Sequence, residues 1–294
     1  MGHNEYVALA KQKHESTWRR HERADGSVWS LRSLSYPAYV WARRFLGPFD
    51  RKTDVLADLG GGHGNFSFLF RGMVNKIVVV DILREPLQSI KEPWMWRVQG
   101  DILRSPLRDS SVTKVILSDV FEHFYVEDLR VLLSEIHRIL KTGGTCFVNT
   151  SCRGVYLRKY WFRMLGRMGQ GELDWADVKD GHLNRLKHKE MVELFESAGF
   201  SVCDWRFLKH LFQPLVGIAR AGAGCCGWGR CRNRSTWGHR EKSIFRWVGK
   251  ASKFARGISN AWCYLDLVFF GKVPGGAAYY KLVKESPKAC INPN

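Results

Sequence analysis

No uncharged run in the 294-residue chain approaches the ~20 residues that a membrane-spanning helix needs. Charged residues scattered from Glu5 to Asp25 leave no apolar centre for an ordinary signal peptide. Gly2 follows Met1, but Tyr6 stands where a myristoylation signal requires Ser or Thr. A disulfide framework is lacking as well: the eight cysteines do not form one for a chain this long. Cys146, Cys152 and Cys203 lie in apolar segments and read as small buried hydrophobes. Cys225, Cys226 and Cys231, with His239 beyond, lack the paired C-x-x-C units of common zinc modules, so no metal site is expected. The default compartment is a reducing cytoplasm. Acidic residues are also scarce: 28 Asp and Glu against 46 Lys and Arg leave a net charge of +18 and a pI near 9.7. That balance admits nucleic acid, an anionic membrane surface or an acidic substrate, and selects none of them. With 45% hydrophobic residues a substantial core is expected, in one large domain or one domain with additions.

The best-defined stretch is Asp58-Leu59-Gly60-Gly61-Gly62-His63-Gly64-Asn65. Val55-Leu56-Ala57 before it reads as a short buried strand, and Phe66, Phe68, Leu69 and Phe70 after it as the start of a helix. Glycines there allow a tight turn and a close approach of ligand to backbone, and the helix N-terminus offers unpaired N–H groups. A dinucleotide site wants G-x-G-x-x-G, whereas Asn65 occupies the sixth position here. Asp58 also sets a negative charge where a pyrophosphate would lie. The loop therefore suits a ligand carrying an ammonium or sulfonium group, and a nicotinamide-dependent oxidoreductase is disfavoured.

Strand and helix patterns then alternate, which predicts a parallel sheet covered on both faces. Strands are expected at 54–59, 76–82, 95–99, 113–118, 145–151, 201–208 and 278–283, and helices at 65–73, 84–91, 125–140 and 187–198. The helix at 125–140 should be closed by Lys141-Thr142-Gly143-Gly144. Asp81, about twenty residues past the glycine loop, can accept hydrogen bonds from both ribose hydroxyls of a nucleoside. Asp101 can accept from an adenine amino group while Ile102 packs on the ring. These carboxylates form a series at successive strand ends, where open α/β sheets bind ligands.

The chain resembles the class I methyltransferases that use S-adenosylmethionine, and most closely the methyltransferase type 11 group. The resemblance rests on residues 55–64, on Val80-Asp81, on Gly100-Asp101-Ile102-Leu103-Arg104-Ser105-Pro106-Leu107, and on Ser118-Asp119-Val120-Phe121-Glu122-His123. It continues through Glu135 to Gly144 and from His182 to Ser197-Ala198-Gly199-Phe200, covering roughly 53–208, about half the chain. It implies a doubly wound, seven-stranded, mostly parallel sheet whose last strand is antiparallel. It also implies a methionine end held by Asp58, Gly60, Gly61, Gly62 and Gly64, with Ser118 contributing backbone. Asp81 and Ile82 would flank the ribose, and Asp101 and Ile102 the adenine. Thr142 replaces the usual Pro, Val112-Thr113 the usual Phe-Asp, and His63 is unusual in the loop.

Methyl transfer from a sulfonium needs in-line positioning and, for an O–H acceptor, a base. His123 past the fourth strand and His182 in Asp180-Gly181-His182 are the candidates; a structural histidine and a solvated loop histidine are the respective alternatives. The expected organisation is a helical N-terminal cap at 1–50, the cofactor-binding core at 51–208, a basic amphipathic insertion at 209–277, and a last strand and tail at 278–294. Between Arg206 and Arg256, twelve Lys or Arg accompany a single acid, Glu241. Ile244, Trp247, Val248, Phe254 and Ile258 recur at helical spacing opposite Arg246, Lys250, Lys253 and Arg256, a pattern suited through 244–270 to an anionic membrane surface. A helix covering the pocket is the plainer reading. Trp228 and Trp237 among basic residues could instead stack on RNA, although no RRM, KH or zinc-finger signature is present. The expected function is methylation of a small-molecule or lipid-linked acceptor. An RNA methyltransferase and a catalytically silent binding protein of the same fold are the rivals.

Overall fold

The structure is a computed structural model that describes residue 8 and residues 36–153, 181–208, 271–273 and 275–285. The expected basic helix at 244–270, the cysteines at 225, 226 and 231, and all of the N-terminal segment before Tyr36 except Ala8 lie outside the described residues.

Seven strands form one sheet: β1 (Val55–Leu59), β2 (Lys76–Asp81), β3 (Met95–Gln99), β4 (Val112–Ser118), β5 (Leu140–Ser151), β6 (Phe200–Leu208) and β7 (Ala277–Lys284). Their spatial order is β3-β2-β1-β4-β5-β7-β6. The pairs among β1 to β5 are parallel, while β7 runs antiparallel between β5 and β6. The order reverses between β1 and β4, so the crevice at their carboxyl ends is the topological switch point, the usual ligand position in such sheets.

Helices cover both faces: α1 (Tyr36–Leu46), α2 (Arg84–Gln88), α3 (Val126–Ile139) and α4 (His188–Ser197). Central strands buried on both faces carry apolar residues without alternation. In β1, Leu56 joins the core on the α1 side with Ala42, Phe45, Ile77 and Phe147, while Ala57 and Leu59 join the α3 side. Helix α3 buries Leu129, Leu132, Leu133, Ile136 and Ile139, a stripe at intervals of three and four. Each such side chain contributes about 1.5–3 kcal/mol by leaving water. Glu127 and Asp128 in its first turn, with His137 and Arg138 in its last, complement the helix dipole. Arg138 also holds the loop after β3 by donating to the carbonyls of Ser105 at 3.1 Å and Leu107 at 2.9 Å and by pairing with Asp109 and Glu135. On β7, Lys284 donates to the carbonyls of His137 and Leu140, both at 2.7 Å, and so satisfies the end of α3.

All seven expected strands are present. Three helical expectations need correction. Residues 65–73 are not an α-helix; only a single 3₁₀ turn forms, Ser67–Phe70. Gly64 and Gly72 bracket it in left-handed conformations (φ +69° and +71°), and its aromatics are committed to tertiary packing. Phe66 stacks on Phe147, Phe70 meets Tyr39 and Phe49, and Phe68 lies against Trp94. Those contacts outweigh the periodicity, since aromatic residues are middling helix formers. Helix α3, for its part, does not end at the glycine pair. Leu140 is already extended (φ −78°, ψ 135°), and the chain passes directly into β5, with Gly143 taking φ +76° inside the strand. The second helix is also shorter than expected, ending at Gln88.

Candidate functional site

The glycine loop leaves β1 and folds over the carboxyl ends of β1 and β2. Gly60 has φ +70°, and its Cα lies so near Val120 that an added Cβ would fall 2.6 Å from the valine methyl. The loop is thereby seated against the turn that follows β4. Gly62 (φ +51°) is the opposite case: among the described residues only the Asp81 carboxylate, at 3.9 Å, would come near a Cβ there.

Asp81 ends β2 and is 6% exposed. Its Oδ2 accepts from the Gly62 N–H and its Oδ1 from the Leu83 N–H, each at 2.9 Å. These bonds fix the carboxylate plane, and a carboxylate oxygen can accept more than one hydrogen bond. Asp58, 2% exposed near the end of β1, has a buried Oδ2 with no hydrogen-bond partner among the described residues. Burial raises its pKa from 3.8 to about 6; hydrogen bonding to Ser67 opposes this, and the neighbouring charge of Asp81 adds to it. Two buried carboxylates beside the Gly62 backbone make a site of negative potential that fits a cation. Among the described residues no group of three or more His, Cys, Asp or Glu could hold a metal.

His63 lies on the flank of the loop. Ser89 donates its hydroxyl to the Pro86 carbonyl at 2.6 Å, so the 2.7 Å bond between Ser89 Oγ and His63 is donated by Nδ1–H. Asp101 accepts from the Leu103 N–H at 2.9 Å and caps a 3₁₀ turn. The side chain of Ile102 is 5% exposed and Ile82 half-buried, both packed against the α3-side core. Ser118 ends β4, where its hydroxyl accepts from the Asn149 side-chain amide at 2.9 Å. Asp119 follows in a left-handed conformation (φ +56°) with its N–H bonded to the Asn149 carbonyl at 2.9 Å. That bend turns the chain across the top of the sheet.

The two candidate histidines meet although 58 residues separate His123 from Gly181. Their rings are 5.3 Å apart and edge to face, and His123 Nδ1 donates to the Gly181 carbonyl at 3.0 Å. Because a carbonyl only accepts, the Nδ1 position carries a proton, and in the neutral ring Nε2 is then the basic nitrogen. Beneath them, Glu122 is 2% exposed and accepts from Thr150 Oγ1 at 3.0 Å and from the Ser151 N–H at 3.3 Å. Glu122, Asn149, Thr150 and Asn184 were not singled out from sequence. Polar residues at 149–151, in a strand otherwise apolar from Cys146, were the available signal.

The fold and the glycine loop have counterparts in known proteins. A family profile described as a methyltransferase domain matches residues 57–148, from β1 into β5. Residues 57–148 are those of a methyltransferase domain, and the sheet around them has the class I methyltransferase fold. A malonyl-[acyl-carrier protein] O-methyltransferase of Hamiltonella defensa is 27% identical over 147 residues, covering 49% of this chain and 52% of that protein. The chain thus spans about half the length of the curated relatives it matches. Among solved structures, phosphoethanolamine N-methyltransferase 2 of Haemonchus contortus, with phosphomonomethylethanolamine and S-adenosylhomocysteine, superposes with TM-score 0.55 at 15% identity. That match covers 85% of this chain and 53% of the other. Geranyl diphosphate C-methyltransferase of Streptomyces coelicolor, with Mg2+, geranyl diphosphate and S-adenosylhomocysteine, gives TM-score 0.52 at 13% identity, over 86% and 80% of the two chains. At these identities the structures establish the fold of the methyltransferase domain. Among its described residues no helix is long and apolar enough to cross a membrane.

Proposed function

We propose that the chain is an S-adenosylmethionine-dependent methyltransferase acting on a small-molecule or lipid-linked acceptor. The observation that carries this reading is the pair of buried carboxylates, Asp58 and Asp81, beside the Gly62 backbone; among the described residues Asp58 Oδ2 has no partner and only Asp81 would approach a Cβ at Gly62. S-adenosylmethionine would supply a methyl group already activated on a positively charged sulfur. Asp81 accepts from the ribose hydroxyls, and Asp58 provides a counter-charge to the cationic methionine end. Asp101 accepts from the adenine amino group, with Ile82 and Ile102 lining the nucleoside side. Ser118 offers backbone at the methionine end. His123, through Nε2, takes the proton of the acceptor as its nucleophilic atom forms the new bond to carbon. The bound sulfonium would supply the leaving group, a neutral thioether that keeps the electron pair of the carbon–sulfur bond. His182 stands beside His123 on the acceptor side.

The acceptors named for the relatives, a malonyl carrier protein and geranyl diphosphate, favour the small or carrier-linked class over RNA. The reading is tested by calorimetry. The protein is expected to bind S-adenosylmethionine and S-adenosylhomocysteine and to ignore NAD, and Asp81→Ala should weaken binding by ~1.5–3 kcal/mol, the usual cost of hydrogen bonds to a charged group. Unchanged affinity in a folded Asp81→Ala protein would remove Asp81 from the ribose site.

We also propose that the basic segment 244–270 meets an anionic membrane surface, since in the sequence its charge excess is accompanied by apolar residues at helical spacing, a pattern that RNA binding does not use. The protein is expected to sediment with vesicles containing phosphatidylserine, and Trp247→Asp combined with Phe254→Asp to abolish this. Added salt should weaken but not eliminate it, because apolar burial is not screened. Steeply salt-dependent RNA binding without vesicle association would decide for RNA.

A further inference from the structure

We propose that Asn184 is the positioning residue of the histidine site: it clamps residues 181–184 onto the turn after β4 and so holds His123 in the tautomer whose Nε2 accepts a proton. The inference rests on the base role proposed for His123. Asn184 is 5% exposed, and its single amide nitrogen donates to two main-chain carbonyls, Phe121 at 2.9 Å and Phe124 at 2.8 Å. Those carbonyls flank Glu122 and His123, so one side chain grips the turn on both sides of the histidine. The backbone repeats the grip, since the N–H groups of Leu183 and Asn184 both donate to the Glu122 carbonyl, at 2.8 and 3.3 Å.

The gripped turn is itself anchored. The Glu122 carboxylate accepts from Thr150 and Ser151 on β5 and ties the turn to a central strand. Gly181, at φ +68°, then presents its carbonyl to His123 Nδ1. Four bonds between the two segments thus serve a fifth, the His123–Gly181 bond, which decides where the imidazole proton sits.

The consequence is chemical. In an unconstrained neutral imidazole the Nε2–H form is the more stable, and a ring in that form has its outward nitrogen blocked as a base. A carbonyl fixed at Nδ1 reverses the preference. A second main-chain clip alone would not need both amide hydrogens of a fully buried Asn. Without Asn184 the Phe121 carbonyl keeps only the longer 3.4 Å bond from the Phe124 N–H and the grip on the Phe124 carbonyl is lost, which loosens the segment that carries Gly181 and His182.

The test reads the tautomer directly. Long-range 1H–15N spectra of the full chain, labelled with 15N-histidine and recorded above the imidazole ionisation, are compared for wild type and Asn184→Ala, with His123→Gln assigning the resonance. Wild-type His123 is expected in the Nδ1–H form, and Asn184→Ala is expected to return most of it to Nε2–H while calorimetric binding of S-adenosylhomocysteine is unchanged. Wild type in the Nε2–H form, or an unaltered His123 signal in a folded Asn184→Ala protein, would overturn the proposal. If Asn184→Ala does not fold, Asn184→Ser, which keeps one donor in a smaller side chain, is read in the same way. Loss of fold in both variants would overturn it too, because Asn184 would then serve the fold and not the histidine. If the tautomer behaves as expected but wild type binds no S-adenosylhomocysteine, the methyltransferase reading fails while the clamp stands.

Discussion

His123→Ala is expected to lower kcat for a hydroxyl acceptor by roughly 10²–10⁴ while leaving S-adenosylhomocysteine affinity intact. The separation of the two effects follows from the architecture. The carboxylates of the proposed cofactor site stand at the ends of β1 and β2, whereas His123 sits beyond β4 in a turn tied to β5 and to residues 181–184. Removing the imidazole deletes a proton acceptor and one bond to the Gly181 carbonyl. It leaves the Gly62–Asp81 bond and the buried Asp58 untouched. Single-turnover rates with saturating S-adenosylmethionine, set beside calorimetry, distinguish the cases. Loss of cofactor affinity would make His123 a structural support of the methionine end. A drop of only a few fold in both quantities would mean that the acceptor arrives already deprotonated.

Asp58→Asn is expected to gain stability over wild type by about 2.5 kcal/mol on going from pH 4 to pH 7, most of what a pKa rise of roughly two units carries at about 1.36 kcal/mol each. The sign follows from the direction of the shift. A carboxyl raised from 3.8 to about 6 binds its proton more tightly in the folded protein, so its contribution is fully present below pH 3.8 and is lost as pH rises through about 6. Above that range wild type carries an ionised carboxylate that burial disfavours, and Asn carries none. Urea denaturation at a series of pH values measures the difference, and parallel stability profiles for the two proteins would rule out this titration. The same variant is expected to bind S-adenosylhomocysteine more weakly at pH 7, because the counter-charge to the ligand's ammonium is gone. In wild type that affinity should strengthen as pH rises through about 6.

Much of this site was readable from residue spacing, for reasons that differ by element. β1 and β2 are apolar without interruption because they are covered on both faces, and the Asp at each end is visible against that background. The glycine loop was legible because its left-handed backbone at 60, 62 and 64 restricts the residue type. The segment after it was misread because Phe66, Phe68, Leu69 and Phe70 carry a helical period while their partners, Phe147, Tyr39, Phe49 and Trp94, come from distant parts of the chain. The meeting of His123 and His182 was equally invisible. It depends on Asn184, and no local pattern distinguishes a buried Asn that bonds two carbonyls from a solvated one in a loop. Long-range side-chain hydrogen bonds are the class of information that sequence periodicity does not carry.

The insertion of β7 between β5 and β6 sets the order in which the chain can finish folding. Thr145 of β5 faces Val283 and Phe200 of β6 faces Lys284, so two strands made earlier wait for one made much later. Until residues 277–284 leave the ribosome, β5 and β6 each present an open edge, with Phe147 and Phe207 lacking the cover of Tyr279, Tyr280 and Ala278. Non-local pairing of this kind is slow, because loop closure must precede any gain from contact. Open apolar edges are also templates for pairing with other chains. The β1–β4 half, whose strands pair without help from β7, can form while synthesis continues. Nascent chains stalled before Ala277 should therefore hold a protease-resistant amino-terminal half and an adhesive carboxyl-terminal one, and a holdase would act on the second.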